Sequence, residues 1–160
     1  MDKRALLAAI VAHLEGQLAA LHRSALATFA DATDEQNKAE NKYDTRGLEA
    51  SYLARGQSKA VETAAATLAQ FRALAAEPFA PDAPIAVGAL VTLSESARLT
   101  SHYFIGPGAG GTEVQHAGAS VLVVTPHSPL GRQLLARRSG DTVRLEQRGR
   151  ARELRITTVE

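Results

Sequence analysis

The sequence predicts an α+β protein in two parts: an N-terminal antiparallel coiled-coil helical hairpin, then a small antiparallel sheet packed on one helix. Three observations predict it. Apolar residues recur at alternating four- and three-residue steps through Thr28, which is the pattern of a coiled-coil seam. Pro78, Pro81 and Pro84 crowd one short stretch, where no helix can continue. Beyond them the apolar spacing changes to that of strands.

The seam of the first helix is Leu7, Val11, Leu14, Leu18, Leu21, Ala25 and Thr28. A second helix is predicted over 46–76, with Val61, Ala64, Leu68, Phe71 and Ala75 at similar spacing. Gly47 and Gly56 lower the helix propensity of its first half. Neither helix can bury its stripe alone, so each buries the other's. The stretch between them, near 31–44, is polar and acidic. The hairpin is therefore assigned to 1–77 with its tip near 31–44, a proline-rich linker to 78–84, and the sheet domain to 85–160. Arms of about 27 residues reach roughly 40 Å at the helical rise.

In the second part, strands are predicted over 88–93, 102–105, 120–124, 142–145 and 153–157. Val121 to Val124 is an unbroken β-branched and aliphatic run, as in a strand covered on both faces. One helix, over 129–138, lies between the third and fourth strands. Ser128 can cap its orphan N–H groups, and Pro129 sits where a missing N–H costs nothing. Leu130, Leu134 and Leu135 give it an apolar face, and Gly140-Asp141 breaks the chain before Thr142.

Composition narrows the function classes. The chain of 160 residues is 4% aromatic and carries a formal charge of +1, which argues against nucleic-acid binding by bulk electrostatics. With no cysteine there is no disulfide framework, thiol nucleophile or thiolate metal site. Lys3-Arg4 is followed by a stretch interrupted by His13 and Glu15, unlike a signal peptide. No apolar run comes near the roughly 20 residues that span a bilayer. The expectation is a cytoplasmic protein with no membrane partner.

Several local motifs then carry a resemblance. They are Val87-Gly88 opening the first strand, His102-Tyr103-Phe104-Ile105-Gly106, Thr125 through Leu135 with its Ser128-Pro129-Leu130-Gly131-Arg132 core, and Gly140-Asp141-Thr142-Val143. In these motifs, in length and in domain order the chain resembles the Gre family (GreA/GreB-like) of bacterial transcript-cleavage factors. The resemblance implies an FKBP-like C-terminal domain that docks on RNA polymerase, with Ser128, Pro129, Leu130, Gly131 and Arg132 as docking candidates. It implies that the hairpin enters the secondary channel. Acidic tip residues would there share a second Mg²⁺ with the polymerase, and the metal pair would activate the water that cuts RNA. Such a factor is not itself an enzyme and has no cofactor of its own. It would be a monomer, meeting RNA and DNA only within the elongation complex.

The tip departs from the family pattern Asp-x-x-Glu-Asn-Ala-Glu-Tyr. Anchored on Glu40-Asn41, the Asp position holds Asn37; anchored on Tyr43, it holds Gln36. An amide is a poorer ligand for a hard divalent cation than a carboxylate. Asp34, Glu35, Glu40 and Asp44 are the acidic candidates that remain, together with Asp31. Glu40 and Asp44 share a helix face and are the candidate Mg²⁺ ligands, while Lys38 and Lys42 partly neutralise the tip. Asp44 serves equally as the cap of the second helix. The alternative is therefore a channel-occupying inhibitor without cleavage stimulation. A peptidyl-prolyl isomerase, for which only Tyr103 and Phe104 offer aromatic lining, and a nucleoside diphosphate kinase regulator-like protein are the other readings.

Other features read more plainly. Tyr52 and Arg55 either face a partner or cover the seam. Arg137 and Arg138 favour the end of the short helix by charge. Arg144, Arg148, Arg150, Arg152 and Arg155 read as a solvated strand pair, since no aromatic platform accompanies them. The run from Gly106 to Gly111 lacks the ending of a phosphate loop and reads as a mobile loop. The five histidines show no metal-ligand spacing.

Overall fold

The computed structural model of the chain describes residues 1–33, 46–80, 82–96, 99–147 and 150–160. Two long helices come first, α1 at Lys3–Thr33 and α2 at Arg46–Arg72. Asp2 starts α1: its carboxylate accepts from the Ala5 N–H at 3.1 Å and its carbonyl from Leu6 at 3.0 Å. Two compact units are present, one of Ala12–Ala69 and one combining Met1–Val11 with Gln70–Glu160.

In the two-helix unit, Leu14 is buried and Leu18, Leu21, Ala25 and Thr28 are half-buried, while the residues between them are exposed. On α2 the matching row is Ala54, Gln57, Val61, Ala64 and Leu68. Both rows follow the alternating step of a coiled-coil seam. The fully buried members stand at the start of the first row and the end of the second, Leu14 and Leu68, as antiparallel pairing requires. Gln57 interrupts the seam with a carbonyl oxygen that is buried and unpartnered. Tyr52 and Arg55 are exposed.

Helix α2 ends short of the predicted Ala76. The Leu74 N–H donates to the Phe71 carbonyl at 3.2 Å, a tightened turn that closes the helix, and Ala75 is exposed. By length and composition, α1 over Lys3–Ala30 could also cross a membrane, against the expectation that no apolar run comes near that length. Alanine and leucine carry this apolarity, and the same residues build a tight two-helix seam.

The second unit holds a six-stranded mixed sheet in the order β3-β4-β2-β1-β6-β5. The strands are β1 Leu90–Ser96, β2 Leu99–Ile105, β3 Glu113–His116, β4 Ala119–Val124, β5 Thr142–Gln147 and β6 Arg150–Val159. The short helix α3, Pro129–Leu134, lies between β4 and β5. The α+β class stands, with one departure inside the sheet. β2 and β4 pair in parallel, from His102↔Val121 to Ile105↔Val124, where an all-antiparallel sheet was expected. The cause is the extra strand β3, which turns back through Ala117 and Gly118 (φ 51 and 77) and delivers β4 alongside β2 in the same direction.

Both faces of the sheet are packed. On one, Val91, Leu93, Ile105, Val124 and Ile156 meet Leu130 and Leu134 of α3. On the other, the Phe104 ring stacks on Phe71 at 6.1 Å, and Leu6, Ile10, Val121 and Val123 are wholly buried. Burial on this scale is the main stabilising term. Lys3 is 5% exposed; its Nζ donates to the Glu77 carbonyl at 2.7 Å and lies 4.5 Å from the Phe79 ring centroid. Burial pushes its pKa below the usual 10.5, against the opposing pull of Glu77 and Glu160.

Candidate functional site

The Ser128–Arg132 segment is built from its backbone outward. Val124 ends its strand, and the Ser128 N–H donates to the Thr125 carbonyl at 3.0 Å. The Ser128 hydroxyl donates to the same carbonyl at 2.9 Å and accepts from the Gly131 N–H at 3.0 Å. Ser128 thus caps α3 with extended backbone (φ −68°, ψ 155°), and Pro129 occupies the first turn. Gly131 is there because nothing else fits: a Cβ would lie 1.9 Å from the Thr125 oxygen.

The five docking candidates therefore divide. Leu130 and Gly131 are buried and Ser128 is half-buried in its capping role, while Pro129 and Arg132 are exposed. Arg132 is steadied by an Nη1–H bond to the His127 carbonyl at 3.0 Å. His127 and Gln133 extend the exposed face. What this corner can offer a partner is one guanidinium, a proline ring and two polar side chains on a rigid support.

The far end of the helix differs from the prediction. It stops at Leu134, four residues before Arg138, because Ala136 takes a left-handed φ of 62°. That turn lets the Ala136 N–H reach the Ile85 carbonyl at 3.0 Å, while the Ile85 N–H donates to the Arg137 carbonyl at 2.7 Å. Arg137 and Arg138 thus lie beyond the helix, and the Arg138 guanidinium donates to the Asp82 carbonyl. The run from Gly106 to Gly111 connects β2 to β3 and is hydrogen-bonded to β4 at both ends. Gly106 donates to Val124 and Gly111 to Val123, each at 2.9 Å. A Cβ on Gly106 would come within 2.7 Å of the Phe71 ring.

A groove of about 430 Å³ was not legible in the sequence. It is lined by residues of three strands, among them Ser101, Tyr103, Glu113, Ser120 and Leu122, and the Ser120 hydroxyl donates to the Glu113 carboxylate. Tyr103 is its one aromatic wall, since Phe104 is committed to the opposite face. The aromatic lining that proline isomerisation needs is therefore not assembled here.

Asp34, Glu35, Gln36, Asn37, Glu40 and Asp44, with the candidate Mg²⁺ ligands among them, lie outside the described residues. Among the described residues no cluster of acidic or histidine side chains is arranged to hold a metal.

No family model and no curated protein sequence matches the chain. Solved structures do resemble it. The GreA factor homolog 1 (Gfh1) protein of Thermus thermophilus is 17% identical, with 94% of each chain covered and a TM-score of 0.40. Gfh1 of Thermus aquaticus is 18% identical, with 92% of this chain and 91% of that one covered, at a TM-score of 0.41. A prokaryotic transcription elongation factor GreA/GreB from Nitrosomonas europaea is 21% identical, covering 74% of this chain and 94% of its own, at a TM-score of 0.36.

Proposed function

We propose that this protein is a cytoplasmic, non-enzymatic accessory factor of RNA polymerase of the Gre type, acting on the elongation complex through the polymerase's secondary channel. The observation that carries the reading is the separation of the chain into a two-helix unit with its own seam and a sheet unit with its own core. The outer ends of the two helices, with Leu6, Ile10 and Phe71, cover one face of the sheet, whereas the stretches 12–33 and 46–69 bury their stripes in one another and are not needed to cover it. Within the two-helix unit the stretch of α1 over 12–33 is about 33 Å long at the helical rise, and the acidic segment near 31–44 follows it in the sequence. The Ser128–Arg132 corner supports docking by the other unit, because its cap and its glycine contact hold Pro129 and Arg132 in fixed positions.

On this reading Pro129 and Arg132 make the surface contact, while Ser128, Leu130 and Gly131 position them. At the tip, Glu40 and Asp44 would contribute carboxylates to a Mg²⁺ shared with the polymerase. A metal so held would polarise the RNA phosphate and generate hydroxide from bound water. Asn37 or Gln36 in place of the family's aspartate favours a second version of the same reading, in which the factor occupies the channel and inhibits.

Addition of the protein and Mg²⁺ to a stalled, backtracked elongation complex tests both. Short 3′ RNA fragments, lost on Glu40→Ala or Asp44→Ala, are the expected result for a cleavage factor. Absence of fragments together with competition against a known cleavage factor identifies the inhibitor. If the protein neither binds polymerase nor competes, and Arg132→Ala changes nothing, the reading fails.

A further inference from the structure

In the two-helix unit, the stretches 25–29 and 53–57 hold small or polar side chains inside and large apolar ones outside. The half-buried seam positions there are Ala25, Thr28, Ala54 and Gln57. Leu26, Phe29 and Leu53 are 70%, 61% and 56% exposed. Each of these three stands one position from a seam residue, always on the side of the segment that joins the helices. Leu26 follows Ala25, Phe29 follows Thr28, and Leu53 precedes Ala54. The observed seam also contains an unsatisfied group, because the Gln57 carbonyl oxygen is buried with no hydrogen-bond partner.

The heights of these residues along the two helices match as well. Antiparallel pairing on the observed seam sets Leu21 level with Val61, Ala25 with Gln57 and Thr28 with Ala54. By the same count Leu26 is level with Gly56, and Phe29 with Leu53. One extra residue in each helix, taken up beyond the Leu21–Val61 layer, would therefore exchange both layers at once. The steps from Leu21 to Leu26 and from Gly56 to Val61 are then five residues each, the length of a single π-type turn. Gly56 brings no side chain to its layer and leaves room for Leu26. Within that step on α2 the Ser58 hydroxyl donates to the Ala54 carbonyl at 3.0 Å, a back-bond that loosens a helical turn.

We propose that this half of the hairpin is a two-position switch, in which a π-type turn in each helix exchanges the observed seam for a second one made of Leu26, Phe29, Leu53 and Gly56. The exchange buries three large apolar side chains and returns the Gln57 oxygen to water, both of which favour it. Two widened turns oppose it, since π geometry is rare outside single bulges. The rest of the seam has no such rival. There the residues one position over are Glu15, Ala19, His22, Ala60 and Thr67, none of them a large apolar side chain. What the switch alters is the flank. In the observed position Leu26, Phe29 and Leu53 face outward; in the other, Ala25, Thr28, Ala54 and Gln57 do. An apolar partner surface favours the first position and water the second, which is the differential affinity a switch requires.

The switch does not depend on the polymerase reading, and the free protein tests it. The chain has no cysteine, so introduced pairs report without interference. Thr28→Cys/Ala54→Cys closes a disulfide across the observed seam. Leu26→Cys/Gly56→Cys closes one across the second seam, because in the observed position these two sites point to opposite flanks of the hairpin. Under mild oxidation the second pair is expected to close at about 0.1–10% of the rate of the first, the share of a minor conformer. Phe29→Ser/Leu53→Ser, added to each pair, should slow the second by about tenfold or more and leave the first unchanged. A fluorine label on Phe29 of the otherwise unaltered chain follows the same exchange by NMR. Its resonance should broaden or split into exposed and buried forms, and return to one exposed form in oxidised Thr28→Cys/Ala54→Cys. Circular dichroism checks the helicity of each variant, and where a cysteine pair loses it the label decides alone. The proposal is overturned if the second pair does not close, or closes as fast after Phe29→Ser/Leu53→Ser, which is simple fraying. It is equally overturned if that pair closes only between two copies of the chain, or if the label shows a single exposed environment that the first disulfide leaves unchanged.

Discussion

Gly131 and Ser128 occupy one turn and do different work, which substitution separates. A methyl group at Gly131 would overlap the Thr125 carbonyl, which is backbone and cannot swing aside as a side chain would. Gly131→Ala is expected to cost about 3 kcal/mol or more, or to prevent folding. Ser128→Ala removes one cap and is expected to cost about 1 kcal/mol in urea unfolding. Equal losses for the two would contradict the close contact. Lys3 supplies a pH signature. Burial lowers its folded pKa below the unfolded 10.5, so above the folded value the unfolded chain holds more protons than the native one. Stability therefore rises as pH climbs through the folded pKa and stops rising at about 10.5, the reverse of a lysine held by a salt bridge. Denaturation of Lys3→Met across that range should show the rise abolished. Neither effect was visible in the sequence, where Gly131 was one residue of a motif and Lys3 one charge near the N-terminus.

At the level of elements, sequence spacing identified the structures whose burial is periodic. The seam of α1 is half-buried or buried at every predicted position, because leucines at alternating steps leave only one face that can pack. It failed where a distant residue sets the backbone. α3 ends early because Ala136 must reach Ile85, about fifty positions back in the chain. β3 was missed because it buries only Val114 and turns on Ala117-Gly118, in which alanine hides a turn that asparagine would have advertised. The parallel pairing of β2 with β4 followed from that omission, and the groove, assembled from three strands, followed from both. The helices carry a further expectation. Gly16 and Gly56 sit inside them with open space where a Cβ would go. Gly16→Ala and Gly56→Ala should each stabilise by about 0.5–1 kcal/mol in thermal unfolding, by restricting the unfolded chain and restoring helix propensity. A loss of stability in either would show that the glycine is needed for a bend.

Across the whole molecule, cores of very different quality coexist. Among the described residues of Ala12–Ala69 only Leu14 and Leu68 are buried, whereas the sheet unit holds all of the other buried apolar residues among those described. That contrast was readable in advance, since alanine dominates the first half and the valines and isoleucines fall mainly in the second. The sheet also has two outer strands, and each is treated differently. β3 is only four residues long. β5 is longer, and there the Gln133 side-chain oxygen accepts from the Arg144 N–H at 3.1 Å. That single amide occupies a main-chain donor which would otherwise invite another strand. Gln133 thus occupies one main-chain donor of this edge strand from the helix beside it. Gln133→Ala should fold with an unchanged circular dichroism spectrum yet form concentration-dependent oligomers in sedimentation velocity, and a variant as monodisperse as the parent would show that the arginines of β5 and β6 keep copies apart by charge alone.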